Sequence, residues 1–397
     1  LLFSPLFLQN FILLRKEQSE LDFYCNTKEL SKACQVVIGA VSTRSAVPAL
    51  EGIKIDASES GVSLCGYDLE IGIKTKVDAE RLPSPGNAVL DAKMLCSIVK
   101  KLPNSDVEIS TDEKGNAQIK CGASEFSLPT IPVEEFPDIP EIKEDAKSIT
   151  LSQPILKRMI RQTLFAVSED DAKPVHTGAL FDVSNNGLTT VGVDGYRIAI
   201  CNERIENLGI DSSFVVPGKT LSTISKMLSD DSDETTNITL DVRHVTFEIG
   251  NYIVFSRLLE GDFINYKAVI PKISKTSLKV DTMELLQSVQ RVSLIINDRI
   301  KSPIVCDLSH DDGTINISCN TEIGKAKDSV SASINGDDVH IGFNRKYLED
   351  ALSNVDCDEI QMELNGSLSP MVILPDEGDS FLFLVLPVRL KNMGNGA

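Results

Sequence analysis

The sequence predicts an α+β fold in three tandem copies of one domain, because three separate features recur at nearly one spacing. Helix-like segments with matching openings start at 27 (TKELSKACQVVIGAV), 152 (SQPILKRMIRQTLFAV) and 281 (DTMELLQSVQRVSLII). A second helical segment starts at 91, 218 and 344, as DAKMLCSIVKKL, GKTLSTISKMLS and NRKYLEDALSNV. Strand pairs recur at 61, 187 and 313, as GVSLCGYDLEIGI, GLTTVGVDGYRIAI and GTINISCNTEIGKA. Every interval between successive copies lies between 125 and 129 residues.

In each copy the order reads strand, helix, several strands, helix, more strands. The first helices open on Thr27, Ser152 and Asp281, residue types that cap helix N-termini, and carry apolar residues at helical spacing. In the middle copy's second helix, Leu221, Ile224 and Leu228 form the buried side, while Lys219 and Lys226 share another face. The strand runs are short and alternating, with Gly, Asn and Asp at the turns, as in EGIKIDASESGVSLCG (51–66). Tight turns between neighbours imply antiparallel sheets, with the two helices of each copy covering one face.

Polar stretches at 140–148 (PEIKEDAKS) and 271–277 (PKISKTS) separate the copies, giving expected domains at 21–141, 148–272 and 276–390. Ahead of them, LLFSPLFLQNFILL is apolar but too short to span a membrane, and it has no basic start or small-residue cleavage site. Domain-like sequence begins at Leu21, so residues 1–20 are expected to lie outside the fold as an N-terminal extension.

Composition narrows the chemistry. Tryptophan is absent and only four histidines occur, which restricts His-based catalysis and His-rich metal sites. The nine cysteines are scattered through apolar runs and never form CxxC, the usage of buried, reduced thiols in a cytosolic protein. No Gly-rich phosphate loop, GxSxG or metal-ligand cluster is present, so no catalytic residue, cofactor or metal is predicted.

The net charge of −19 argues against a nucleic-acid partner when taken as one number. Counted by segment, the picture changes. The six helical segments together carry +9, so the rest of the chain carries −28. Lys157, Arg158 and Arg161 fall within about a 100° arc of a helix that contains no acid of its own. For any one helix this could be a solvated basic face. Repeated over most helices of an acidic body, it fits a surface that holds phosphates without reading bases.

The stretch VGVDGYRIAI (191–200) interrupts a strand with Asp194-Gly195-Tyr196-Arg197. An acidic enzyme with Asp194 as general base and Arg197 as anion clamp is one reading. A turn aspartate capping its own backbone is another, since the equivalent residues are Asp68 and Asn320. The middle copy is read as carrying a Gly-Tyr-Arg insertion in that bend. An acidic repeat scaffold without DNA binding is a third possibility.

Several motifs then fall in one order along the chain: SLPTIPVEEFPDIP (127–140), TGALF (177–181), VDGYRIA (193–199), LEGDFINYKAVIP (259–271), IGFNRKYLEDAL (341–352) and LPVRL (386–390). On these, residues 21 to 390 resemble the bacterial sliding clamp family, the beta subunits of DNA polymerase III. The resemblance implies the DNA-clamp fold: a head-to-tail homodimer closing a ring, helices lining the hole and sheets outside. It implies a non-catalytic, cytoplasmic processivity factor. Such a factor encircles duplex DNA and tethers the polymerase alpha subunit, the clamp loader, other polymerases and repair proteins through short peptides.

Carried over residue by residue, the resemblance implies DNA contacts at Arg44 and Lys219, with Lys157, Arg158, Arg161 and Lys226 in support. It implies a peptide pocket at Val193, Gly195, Tyr196, Arg197, Ile198, Val269, Leu386, Pro387, Val388, Arg389 and Leu390, an apolar cleft edged by Arg197 and Arg389. Two pocket positions depart from the family pattern: Ile264 stands where proline is common, and His176 where leucine is common. For the dimer, Phe126 and Leu128 would meet Leu294 and Ile295 of the other chain.

Overall fold

A computed structural model describes residues 21–112, 114–140, 146–205, 209, 211–296 and 302–390. The extension expected at 1–20, and the charged residues Asp298, Arg299 and Lys301, lie outside the described residues.

All six expected helices form: α1 (Thr27–Val37), α2 (Ala92–Val99), α3 (Gln153–Leu164), α4 (Gly218–Met227), α5 (Thr282–Ser293) and α6 (Arg345–Ser353). Asp281 caps α5 as expected, its carboxylate accepting from the Glu284 amide at 2.7 Å. At α1 the expected cap is corrected by one residue. Asn26 is the cap, its side chain accepting from the Lys28 amide at 2.9 Å. Thr27 is buried and ties the helix start to a loop, donating to the Pro103 carbonyl at 2.9 Å and accepting from the Ser105 amide at 3.2 Å. Asn and Thr are both good caps, so an adjacent pair leaves the register open, and the loop contact of Thr27 settles it.

Every strand pairing among the described residues is antiparallel, as the tight turns require. The chain divides into two compact units. One runs to Ser152 and takes back Lys226–Arg257; the other holds Gln153–Ser225 and the described residues from Leu258 onward. The division cuts the middle copy because its strands join the sheets of both neighbours. In the first unit, Tyr252–Arg257 pairs with Ile71–Val77, with Val254 opposite Ile73, and the result is a continuous eight-stranded sheet. In the second, Arg197–Glu203 pairs with Phe381–Val385, with Ala199 opposite Phe383, within a nine-stranded sheet. A five-stranded sheet completes the first unit and a four-stranded sheet the second.

Each unit has its own apolar interior. In the first, Phe23, Leu30, Ile53, Ile55 and Leu64 are fully buried. In the second, α5 and α6 lay Leu285, Val289, Leu348 and Leu352 against Ile317, Phe343, Phe381 and Phe383 of the sheets. Seven of the nine cysteines are buried and all are unbridged; Cys96 and Cys357 are half-buried instead. No helix among the described residues is long and apolar enough to cross a membrane.

Candidate functional site

The bend in VGVDGYRIAI joins the strands Gly187–Val193 and Arg197–Glu203. One carboxylate oxygen of Asp194 accepts from the amides of Tyr196 (2.9 Å) and Arg197 (3.1 Å). Its other oxygen accepts from Arg197 Nε at 2.8 Å. Both oxygens are thus occupied within the turn, which is the capping role and not that of a base. The first copy has the same turn, where Asp68 accepts from the amides of Glu70 (3.0 Å) and Ile71 (2.8 Å). Gly195 has φ 89° and Leu69, its counterpart, φ 77°. The two bends have equal length, so the expected Gly-Tyr-Arg insertion is corrected to a replacement. A left-handed position that strains leucine is relieved by glycine, and Glu70-Ile71 becomes Tyr196-Arg197.

Arg197 is only 6% exposed. Its guanidinium bridges Asp194 (2.8 Å) and Asp350 of α6 (2.6 Å), and lies over the rings of Tyr347 (4.6 Å) and Phe165 (5.5 Å). Tyr196 stacks on the same Tyr347, with ring centroids 5.7 Å apart. Arg197 lines a cleft, and two carboxylates already satisfy its charge inside the fold. Its buried guanidinium forms a floor beside Tyr196, which shares the Tyr347 ring and is 59% exposed.

That floor belongs to a cleft of about 610 Å³. Of the expected pocket residues, His176, Val193, Gly195, Tyr196, Arg197 and Ile264 line it. A neighbouring hollow of about 450 Å³ shares Ile264 and is walled by Leu180, Val215, Leu259, Phe263 and Tyr266. The other expected residues lie around these hollows. Ile198 is buried in the apolar cluster beneath, with Leu386 packed against it. The Leu386 amide donates to the Tyr196 carbonyl at 2.9 Å, and the Val388 amide to that of Gly342 at 2.8 Å. Leu390 packs on Gly342, Pro387 is half-buried, and Val269, Val388 and Arg389 are exposed.

His176 meets Phe263 edge-on, with centroids 5.6 Å apart. Burial, reinforced by Lys173, holds its pKa below the usual imidazole value, so the ring is neutral near pH 7. Glu169, Asp170, Lys346 and Tyr347 are among the lining residues that escaped sequence reasoning. The motif IGFNRKYLEDAL contains two of them, but nothing local in it points toward the bend.

The basic residues sort by what they meet. Arg161, Lys219, Lys226 and Arg44 are exposed, whereas Lys157 and Arg158 are half-buried. The face of α3 free of acids in sequence is not free of them in space. Arg158 forms an ion pair with Glu203, and Arg161 lies 4.0 Å from Asp356. On α5, Arg291 pairs with Asp328 at 2.7 Å.

Phe126 and Leu128 lie on Ser124–Pro129, a strand at the edge of the five-stranded sheet, with Phe126 38% exposed. Leu294, just past α5, is 83% exposed, while Ile295 packs against the core of its own unit. Strand Gly324–Ser331 ends the four-stranded sheet in the same manner as Ser124–Pro129 ends the five-stranded one.

Compared with known families, residues 21–140 match the N-terminal domain of the DNA polymerase III beta subunit, 150–265 its central domain and 267–389 its C-terminal domain. The chain belongs to the DNA polymerase III beta subunit family. Its relatives include the beta sliding clamps of Halalkalibacterium halodurans, 36% identical over 92% of this chain and 97% of that protein, and of Bacillus subtilis, 35% identical over 92% and 99%. The solved Bacillus subtilis sliding clamp superposes with a TM-score of 0.89 at 34% identity, covering 94% of this chain and all of that one. A beta subunit from Eubacterium rectale gives 0.88 at 34%, over 93% and 99%. As in the family, this subunit is a non-catalytic sliding clamp of DNA replication. The enzyme and scaffold readings have no such support.

Proposed function

We propose that this subunit works as a head-to-tail homodimer that closes a ring of six repeats around duplex DNA and moves along it without reading sequence. Each chain contributes three domains, at 21–141, 148–272 and 276–390. The ring acts in the cytoplasm. Arg44, Lys157, Arg158, Arg161, Lys219 and Lys226 contact phosphates. Of these, Arg161, Lys219, Lys226 and Arg44 are the more exposed and so the more accessible to phosphates, whereas Lys157 and Arg158 are half-buried.

The cleft at the 194–196 bend, with the adjacent hollow at Tyr266 and the 386–390 tail, docks short peptides. These come from the polymerase alpha subunit, the clamp loader, and other polymerases and repair proteins. His176, Val193, Gly195, Tyr196, Ile198, Ile264, Val269, Leu386, Pro387, Val388 and Leu390 supply its walls. Arg389 supplies the exposed cation, and Arg197 the floor. Tethering raises the polymerase's effective concentration at the primer end with no new chemistry. The dimer forms where Phe126 and Leu128 meet Leu294 and Ile295 of a second copy. The observation that carries the assembly is an exposed Leu294, 83% accessible, beside a sheet edge on one unit, and an exposed Phe126 on a sheet edge of the other.

Topological retention tests this reading. With a clamp loader and ATP, the protein should stay on a nicked circular plasmid through gel filtration and fall off once the plasmid is cut. Equal retention on circular and linear DNA would overturn it.

A further inference from the structure

The first copy sets two thiols side by side on its two helices. Cys34 lies on α1 and is fully buried; Cys96 lies on α2 and is half-buried. The Cys96 thiol donates to the Cys34 backbone carbonyl at 3.4 Å, where the two helices pack against each other. We propose that Cys96 and Cys34 form a redox-active dithiol, in which Cys96 is the attacking thiol and Cys34 resolves the product to a reversible disulfide joining α1 to α2.

The two positions divide the labour. The hydrogen bond from Cys34 holds the Cys96 pKa below the usual thiol value, whereas the bond to Cys96 and then burial push Cys34 well up. The thiolate is the nucleophile, so the accessible member of the pair is the one poised to react first. A small-molecule disulfide such as oxidised glutathione is the oxidant. The Cys96 thiolate attacks one of its sulfurs, its S–S bond breaks, and one glutathione leaves as thiolate and takes a proton. Cys34 then gives up its proton and attacks the Cys96 sulfur. The mixed disulfide breaks, the second glutathione leaves as thiolate and takes the other proton, and the protein has lost two protons and two electrons to the reagent.

Other thiols lack this arrangement. Cys357 is also half-buried, but it donates to the Glu359 carbonyl at 3.1 Å and burial pushes its pKa up. Cys201 donates to Gln162 at 3.0 Å, and burial raises it to about 12; Cys306 is likewise pushed up to about 12 by burial. The bridge would tie together the helices that carry Lys28 and Lys32 on one side and Lys93 on the other. It would close a long loop in the unfolded chain, which raises resistance to unfolding.

The full-length protein is treated with oxidised glutathione, followed by intact mass and peptide mapping. The wild type should lose two free thiols and two hydrogens in mass, yield a Cys34–Cys96 cross-linked peptide, melt several degrees higher, and revert with dithiothreitol. Cys34→Ser should stop at one glutathionyl group on Cys96, and Cys96→Ser should form neither product. The wild-type map decides the matter even if a variant folds poorly. A wild type that does not react, that keeps glutathione on Cys96 beside a free Cys34, or that reacts first at Cys357 would overturn the proposal.

Discussion

Arg197 gives its charge to Asp194 and Asp350 before any partner arrives, so its first contribution is structural. Replacing it with alanine leaves two carboxylates without their cation in a largely buried site, at a cost of about 3 kcal/mol. Arg197→Lys should recover less than half of that, because an ammonium cannot bridge two acids and stack on Tyr347 together. Urea unfolding monitored by circular dichroism measures both. A loss under about 1 kcal/mol for the alanine variant would mean the network is ornamental.

This is also where sequence reading reaches its limit. Asp194 and Arg197 are neighbours in the chain, but Asp350 is 153 positions away and nothing local to the bend announces it. His176 was visible as an unusual residue, yet its contact with Phe263 was not. Because burial depresses the His176 pKa, the folded state disfavours the protonated ring. Its contribution to stability is therefore full above the unfolded value near 6.5 and is lost as pH falls through the lower folded value. His176→Leu should lose less stability than wild type between about pH 7 and 5. Parallel pH dependence in the two proteins would contradict this.

At the scale of elements, the 3.6-residue periodicity of each helix is a local property, and all six helices could be read from it. Caps are local too, but ambiguous where two good candidates adjoin. Asn26→Ala should cost about 1 kcal/mol through loss of the α1 cap. A neutral result would return that role to Thr27. The pairing of Tyr252–Arg257 with Ile71–Val77 was not legible, because a strand's own pattern does not name its partner in another copy. The acids that reach the α3 face were hidden for the same reason: Glu203 and Asp356 come from distant segments. Charge reversal therefore belongs on the helix positions that are exposed. Lys219→Glu with Lys226→Glu should weaken DNA binding at every sequence tested. It should also lower the salt slope of log K by about 0.9 for each phosphate no longer neutralised. An unchanged slope would remove α4 from the DNA surface.

For the whole molecule, three repeats in one chain explain the symmetry of elements, and among the sheet edges left open are the solvent-facing strands Ser124–Pro129 and Gly324–Ser331. Long exposed edges with apolar residues beside them invite pairing with another chain, and a head-to-tail pair uses both at once. Leu294→Glu should shift the protein toward monomer in sedimentation velocity, with the fold retained by circular dichroism. An unchanged dimer would place the interface elsewhere. The closed ring itself is tested most directly by negative-stain electron microscopy of the purified protein at micromolar concentration. A six-lobed ring with an open centre is the predicted result, and an elongated three-lobed monomer would contradict it.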